Sequence, residues 1–184
     1  MTGGASPPLA SARPRQVVLA LGSNLGDRLG NLQAGIDYLA CADPAFQCTA
    51  VSAVYSTAPV GGPPQPDYLN AVVLAVSELP ARAVLDLCHA AEQALGRLRG
   101  ERWGPRTLDV DVIACDDEVS SDPELTLPHP RAHLRAFVLA PWLDVDAEAH
   151  LAGFGSVAGL LAQADLTGVT RLSGDSLHID RAGE

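Results

Sequence analysis

Residues 101–113 read ERWGPRTLDVDVI, a basic loop followed by an alternating strand pattern. Successive side chains of a β-strand point to opposite faces, so the pattern over 107–114 predicts one apolar and one polar face. The apolar face comprises Leu108, Val110, Val112 and Ala114. The other face carries Thr107, Asp109, Asp111 and Ile113. The apolar face supplies core residues, so this segment is predicted to be a central structural strand.

Two carboxylates on one strand face need an explanation, because like charges repel unless a positive charge lies near them. The Cα atoms of Asp109 and Asp111 are predicted to lie about 7 Å apart, from two steps along a strand. Magnesium takes oxygen ligands, commonly one or two carboxylates completed by water and substrate phosphates. The pair therefore indicates a magnesium site, and the alternative is an exposed strand face with two solvated aspartates.

The basic residues favour a compact anion as ligand. All 12 are arginine, and six of them lie in a stretch of 39 residues, Arg97, Arg99, Arg102, Arg106, Arg131 and Arg135. Arginine is permanently charged and binds phosphate in a bidentate manner. The loop 97–106 can therefore act as a lid over an anion, or be a solvated basic turn, with Trp103 either stacked on a flat ligand or packed in the core.

Composition bounds the remaining possibilities. A chain of 184 residues with 47% apolar content predicts one domain with a real core. The net charge of −10 disfavours nucleic acid and anionic membranes as partners. The four cysteines, Cys41, Cys48, Cys88 and Cys115, have neither zinc-ligand nor CxxC spacing and are interpreted as small buried hydrophobes. We expect a cytoplasmic protein with a frayed N-terminus over residues 1–15.

The order of predicted elements indicates an α+β fold with helices on an antiparallel sheet. The strands are QVVLALGS (16–23), FQCTAVSAVYST (46–57), YLNAVVLAVS (68–77) and TLDVDVIA (107–114). One helix is predicted over 28–40, capped by Asn24 or Asp27, and a second has Pro80 in its first turn and ends at Gly96. An acidic turn at 115–118, a short return strand, a helix or strand at 135–145 and a short last helix over 153–164 follow.

Two further motifs have a structural and a functional interpretation. LGSNLG (21–26) leads into a helix N-terminus as phosphate loops do, but it lacks the lysine of GxxxxGK[ST] and the spacing of GxGxxG, which favours a tight turn. His129 lies between two prolines, where it could donate to a phosphate or be structural. No Ser-His-Asp elbow or HExxH motif is present, so a side-chain nucleophile is not indicated.

Four segments together resemble one enzyme family. LGSNLGDR, YSTAPVGGPPQPDYLNAVV, RWGPRTLDVDVI and LTLPHPRAHLRAFVLAPW occur in this order within residues 16–150 and are similar to the 6-hydroxymethyl-7,8-dihydropterin pyrophosphokinases of folate biosynthesis. The resemblance implies a ferredoxin-like α+β sandwich over 16–165, with a C-terminal extension over 166–184. It also implies transfer of the β,γ-diphosphate of ATP to the pterin hydroxymethyl group, with release of AMP.

The resemblance implies roles for individual residues. Asp109 and Asp111 would hold two Mg²⁺ ions, and Arg97, Arg99 and Arg106 would contact the transferred phosphates. The residues implied to contact the nucleotide also include Glu92, Trp103, Thr126, His129 and Arg135. Those implied to contact the pterin are Thr57, Tyr68, Asn70, Trp103 and Phe137. The sequence departs from the family pattern in a shorter arginine loop, at Ala58 and at Pro130.

Two other function classes use the same residues. A metal-dependent nucleotide phosphohydrolase would direct the same carboxylates at water, and a nucleotide-binding module could keep the fold without turnover. The expected partners are ATP and the pterin alcohol, with no nucleic acid or membrane, and the expected state is a monomer.

Overall fold

The computed structural model describes residues 13–59, 64–96, 105–174 and 176–180. Its main sheet has six strands, and every pairing within it is antiparallel. These strands are β1 (Arg15–Ser23), β2 (Phe46–Val51), β3 (Tyr55–Thr57), β4 (Tyr68–Ser77), β5 (Asp109–Cys115) and β10 (Val169–Arg171). The order is β10-β3-β4-β1-β5, with β2 also on β4. The predicted α+β fold with a mainly antiparallel sheet is confirmed.

Helices cover both faces of this sheet, because apolar residues alternate along β1 and serve two cores. The helices are α1 (Arg28–Ala42), α2 (Ala81–Ala94), α3 (Ala136–Val145) and α4 (Val157–Leu161). Ile36 of α1 and Val84 of α2 belong to one core, and Val138 and Trp142 of α3 belong to the other. Two small hairpins complete the described chain, β6 (Ser120–Asp122) with β7 (Leu125–Leu127) and β8 (His150–Leu151) with β9 (Gly155–Ser156).

The boundaries of α1 and α2 agree with the predictions, but the last helix, predicted over 153–164, is confined to Val157–Leu161 because Gly155–Ser156 form β9. Of the two candidate caps for α1, it is Asp27 whose carboxylate accepts from the Gly30 amide at 3.0 Å. Pro80 is the N-cap of α2 rather than part of its first turn. Gly96 has a φ of 76°, which suits a glycine just beyond a helix end. Residues 136–145, predicted as helix or strand, form α3.

The predicted strand over 46–57 is wrong as one element, because the chain bends at Ser52 and gives two strands. The Ser52 amide donates to the Val72 carbonyl at 2.9 Å, and the Ser52 hydroxyl accepts from the Val72 amide at 2.9 Å. A side chain thus replaces a backbone carbonyl in the ladder. The register with β4 shifts accordingly between β2 and β3.

The predicted alternation of β5 holds at the aspartates and fails one step later. Val18 of β1 pairs with Ala114 and Leu19 with Val112, so Ile113 is the extra residue of a β-bulge. The bulge puts Ala114 in the same core as Ile113, not in the core of Val112 as predicted. Strand β10 and its pairing with β3 were not predicted.

The cysteines are free. Burial raises the pKa of the Cys48 and Cys115 thiols to about 11, and it also raises the pKa of Cys88, so these thiols stay protonated. Cys41 is exposed, contrary to its interpretation as a buried hydrophobe, because it lies on the outer face of the last turn of α1. Among the described residues, none of the helices is long and apolar enough to span a bilayer.

Gly35 of α1 packs against Leu108, the residue before β5. A Cβ atom there would lie 2.8 Å from Cδ2 of Leu108, which is fully buried. Alanine favours a helix over glycine by about 1 kcal/mol, but overpacking costs about 1–3 kcal/mol. We therefore predict that Gly35→Ala lowers the free energy of unfolding in urea by about 1 kcal/mol.

The double variant Gly35→Ala/Leu108→Val is the control, because shortening Leu108 removes the contacted atom. Its loss of stability should be smaller than the sum of the two single losses. Additive losses would contradict a clash between these two side chains.

Candidate active site

Two cavities open on either side of the β5 aspartates. The larger has a volume of about 620 Å³ and the smaller about 300 Å³. Four residues line both cavities, Arg106, Asp109, Asp111 and His129. A group bound in one cavity therefore meets a group bound in the other at these side chains.

Each aspartate has its own arginine partner. An Nη1–H of Arg106 donates to Oδ1 of Asp109, and an Nη1–H of Arg135 donates to Oδ2 of Asp111 at 3.0 Å. Arg106 precedes β5 and Arg135 directly precedes α3, so separate segments supply the two positive charges. The repulsion between the carboxylates is thus offset within the protein itself.

His129 reaches this cluster through the bulge in β5. Its amide donates to the carbonyl of Ile113 at 2.8 Å, and its Nε2 lies 3.8 Å from Oδ2 of Asp111. Burial lowers the pKa of His129, Arg135 and Arg131 lower it further, and Asp111 opposes the shift. The imidazole is therefore more readily neutral than a solvated histidine, and a neutral ring can donate one hydrogen bond to an anion.

Glu92 is buried, with 3% of its surface exposed, and it faces the smaller cavity from α2. Its Oε1 accepts from the Val110 amide at 2.9 Å, which ties α2 to β5. His89 lies one helical turn earlier and lines the same cavity. Sequence reasoning missed His89, although its i, i+3 spacing to Glu92 predicts a shared helix face.

Asn24 joins three segments at the edge of the site. Its side-chain Oδ1 accepts from the Arg106 amide at 2.8 Å, and its backbone amide donates to the Arg106 carbonyl at 3.1 Å. Its side-chain amide donates to Oε1 of Gln65 at 2.8 Å and to the Pro66 carbonyl at 3.3 Å. These contacts favour the tight-turn interpretation of LGSNLG over the phosphate-loop interpretation.

The larger cavity contains four of the residues with an expected pterin role. They are Thr57, Tyr68, Asn70 and Phe137. The Asn70 side-chain amide donates to the Thr57 hydroxyl at 2.8 Å and to the Tyr55 carbonyl at 3.5 Å. The Arg135 guanidinium lies 5.5 Å from the centre of the Phe137 ring, a cation–π geometry.

The remaining expected residues either line one of the cavities or lie outside the described residues. Thr126 and Glu92 line the smaller cavity, whereas Arg135 lines the larger. Arg97, Arg99, Arg102 and Trp103 lie outside the described residues. Gln65 also lines the larger cavity, and sequence reasoning missed it. Arg131, counted among the clustered arginines but given no individual role, lines this cavity too.

The four side chains that line both cavities include two oxygen donors for a hard cation, the carboxylates of Asp109 and Asp111. The side chains of Asp109 and Asp111 are 28% and 38% exposed, so their oxygens can be reached from both cavities. No group of three or more His, Cys, Asp or Glu side chains able to hold a metal occurs among the described residues. Two carboxylates agree with magnesium sites that take their other ligands from water and phosphate.

Comparison with known proteins identifies the relatives of this chain. The family model described as 7,8-dihydro-6-hydroxymethylpterin-pyrophosphokinase matches residues 18–147. A 2-amino-4-hydroxy-6-hydroxymethyldihydropteridine pyrophosphokinase of Mycobacterium leprae is 46% identical over 82% of this chain and 80% of its own length. Enzymes of the same name from Methylorubrum extorquens and Pseudomonas aeruginosa are 40% and 36% identical, over 84% and 87% of this chain and 96% and 98% of their own.

Solved structures agree in fold. The wild-type HPPK-DHPS of Plasmodium falciparum, crystallised with pterin and p-hydroxybenzoate, superposes with a TM-score of 0.60 at 12% identity. The likeness covers 82% of this chain but 42% of that one, so this chain spans less than half of the Plasmodium protein. At this identity the likeness concerns the fold alone.

The contacts of Asn24 lead to a prediction on stability. Asn24 is buried, and Asn24→Ala leaves the Arg106 amide and the Pro66 carbonyl without this partner at part-buried contacts, where an unsatisfied group costs about 1–3 kcal/mol. We expect the free energy of unfolding to fall by about 2 kcal/mol or more, measured by urea denaturation.

Gln65→Ala provides the comparison, because it removes one partner of the Asn24 amide and leaves the Arg106 contact intact. Its loss of stability should be smaller. A Gln65→Ala variant as unstable as Asn24→Ala would show that the hydrogen bonds between Asn24 and Arg106 add nothing to the free energy of unfolding.

Proposed function

The chain belongs to the 7,8-dihydro-6-hydroxymethylpterin-pyrophosphokinase family, and from this premise we propose which of its residues bind ATP, the pterin and magnesium. The enzyme transfers the diphosphate of ATP to the hydroxymethyl group of hydroxymethyldihydropterin, a step of folate biosynthesis. ATP is the co-substrate, and AMP is the product left by transfer of the β,γ-diphosphate.

ATP is assigned to the smaller cavity and the pterin to the larger. One observation carries this assignment, namely that Arg106, Asp109, Asp111 and His129 line both cavities. Group transfer between two substrates requires their reacting atoms to meet in a fixed orientation. A wall common to both cavities supplies that meeting point, which a site built for hydrolysis by water does not require.

The nucleotide is bound along the smaller cavity by residues that match its charge and shape. Arg106 and His129 face the triphosphate, Thr126 and Glu92 lie toward the nucleoside, and Arg135 approaches the phosphates from the larger cavity. Support comes from the positions of these side chains around the two cavities. Arg97, Arg99 and Trp103 extend the set as a lid, on the basis of the sequence pattern alone.

The pterin lies in the larger cavity between the strand side chains and an aromatic ring. Thr57 and Asn70 present a hydroxyl and an amide to the polar edge of the heterocycle, and Tyr68 and Phe137 pack against its flat surface. Trp103 seals this cavity in the same proposal. Hydrogen-bonding groups at one edge and aromatic contact on the face suit a planar polar ring.

Two Mg²⁺ ions are assigned to Asp109 and Asp111. The fit rests on two hard oxygen donors within reach of both cavities and on the need for further oxygen ligands that a triphosphate can supply. Bound magnesium would neutralise charge on the transferred phosphates.

The protein itself orients and balances charge rather than supplying a nucleophile. The attacking atom is the hydroxymethyl oxygen of the pterin, and the leaving group is AMP, so both reactive atoms belong to substrates. Arg106 and Arg135 lie on either side of the transfer point and can pair with phosphate oxygens as negative charge shifts. Preorganised arginines of this kind stabilise the transition state without a covalent intermediate.

A monomeric state and a cytoplasmic location complete the proposal. The monomeric state rests on the family resemblance of the sequence alone. Free thiols and an ATP-dependent reaction support a reducing, ATP-containing compartment. The net charge of −10 supports small-molecule substrates over nucleic acid or membrane partners.

The reaction itself gives the first test of this proposal. The protein is mixed with Mg²⁺, ATP and 6-hydroxymethyl-7,8-dihydropterin, and nucleotide products are separated by ion-exchange chromatography. We expect AMP and the pterin diphosphate in equal amounts, and no AMP without the pterin. Release of ADP or phosphate independent of the pterin would indicate a phosphohydrolase instead.

The magnesium assignment predicts a selective loss in Asp109→Asn and Asp111→Asn. Asparagine keeps the shape of the side chain and an oxygen for the arginine, so the fold should persist, but it loses the charge that holds the cation. We expect turnover to fall about 100-fold or more and the Mg²⁺ requirement to rise. Asp117→Asn, in the exposed turn after β5, is the matched control and should leave both unchanged. Near-normal turnover in either site variant would refute the assignment.

A further inference from the structure

We propose that β10 and the residues after it position the pterin cavity, so that they set affinity for the pterin without contacting it. This C-terminal segment comprises Val169–Arg171 of β10 with Leu172, Leu177 and His178. It lies beyond residues 18–147, the part matched by the family model. The inference rests on the assignment of the pterin to the larger cavity.

The first observation is that the segment converts a three-residue edge strand into an interior one. Without β10, β3 would pair only with β4 and present one open side. Val169, Thr170 and Arg171 lie opposite Thr57, Ser56 and Tyr55, and the Leu172 amide donates to the Val54 carbonyl at 2.9 Å. Pairing on both sides restricts a short strand that would otherwise fray.

The second observation connects this strand to the cavity. Both described contacts of the Asn70 side-chain amide are with β3, the Thr57 hydroxyl at 2.8 Å and the Tyr55 carbonyl at 3.5 Å. Asn70 and Thr57 both line the larger cavity. A displacement of β3 would therefore rotate or release the amide that faces the pterin.

The third observation is a side-chain junction between β10, β3 and α3. Oδ2 of Asp144, on α3, accepts from the Tyr55 hydroxyl at 3.2 Å and lies 3.4 Å from Nε of Arg171. Burial and the Asp144 carboxylate raise the pKa of Tyr55, which keeps its hydroxyl protonated as the donor. Phe137 is the second residue of α3 and lines the cavity, so the junction connects β3 with the helix that carries this aromatic wall.

The end of the segment is held on the opposite face of the sheet. Leu177 is 9% exposed and belongs to the core of α1 and α2. The Gln33 side chain donates to the His178 carbonyl at 2.9 Å and accepts from the His178 amide at 3.1 Å. The described residues of the segment therefore have contacts on both faces of the sheet, with α3 through Arg171 and with α1 through His178.

The test uses the backbone of Thr170, whose side chain is exposed. Since Leu172 and Val54 form a hydrogen-bonded pair, the alternation of an antiparallel ladder makes Thr170 and Ser56 the next such pair. Thr170→Pro removes that donor, whereas Thr170→Ala keeps it and is the matched control. Affinity for 6-hydroxymethyl-7,8-dihydropterin is measured by its fluorescence, and affinity for a non-hydrolysable ATP analogue is measured by calorimetry.

We expect Thr170→Pro to weaken pterin binding about tenfold, to leave binding of the ATP analogue unchanged and to retain the turnover number at saturating pterin. Thr170→Ala should stay within about twofold of the unmodified protein in every measurement. Unchanged pterin affinity in Thr170→Pro, or equal losses for pterin and the ATP analogue, would overturn the inference.

Asn70→Ala separates this inference from the proposed function. If Asn70→Ala weakens pterin binding and Thr170→Pro does not, the cavity assignment stands and the positioning role is wrong. If Asn70→Ala has no effect on pterin binding, the cavity assignment is wrong and the inference fails with it.

Discussion

The pairing of two neighbouring carboxylates with two arginines from separate segments is the interaction on which the site depends. Arg106 holds Asp109 and Arg135 holds Asp111, so the loop before β5 and the start of α3 converge on one strand. In the proposed reaction, MgATP offers every member of this cluster a second partner of suitable charge. Guanidinium groups bind phosphate and carboxylates bind magnesium, so each of these four side chains would keep a partner of opposite charge in the proposed complex.

The β-bulge at Ile113 allows one short strand to serve the site and two cores. Before the bulge, Val110 and Val112 face α1 and α2 while the aspartates face the cavities. At the bulge, Ile113 and Ala114 both turn into the core of α3, and the Ile113 carbonyl accepts from the His129 amide. Extra residues of this kind redirect side chains near functional sites.

Local sequence patterns predicted the structural features that neighbouring residues determine. They missed the features that depend on residues distant in sequence. The alternation around Asp109 and Asp111 could be predicted, and the cap of α1 could be limited to Asn24 or Asp27, because strand and helix geometry fix them within a few residues. The bend at Ser52 could not, since it depends on Val72 across the sheet. Strand β10 was missed for the same reason, because three residues of weak pattern become a strand only beside β3.

The ion pair between Arg135 and Asp111 likewise joins residues that are distant in sequence. Expecting an anion site from clustered arginines was possible, but Arg135 lies 24 residues from its partner Asp111 in sequence. Sequence spacing alone could suggest the pairing of Arg106 with Asp109, which are three residues apart. Which carboxylate each arginine meets is decided by the packing of α3 on the sheet.

The hydrogen bonds that Glu92 and the Ile113 carbonyl accept also bear on self-association. Strand β5 ends the sheet, and an edge strand with free amides and carbonyls is a template for pairing with another molecule. In β5, the outward-facing Val110 amide donates to the buried Glu92 carboxylate, and the Ile113 carbonyl accepts from the His129 amide. Two groups that line the smaller cavity, Glu92 and His129, thus also protect this edge of the sheet against pairing with another molecule.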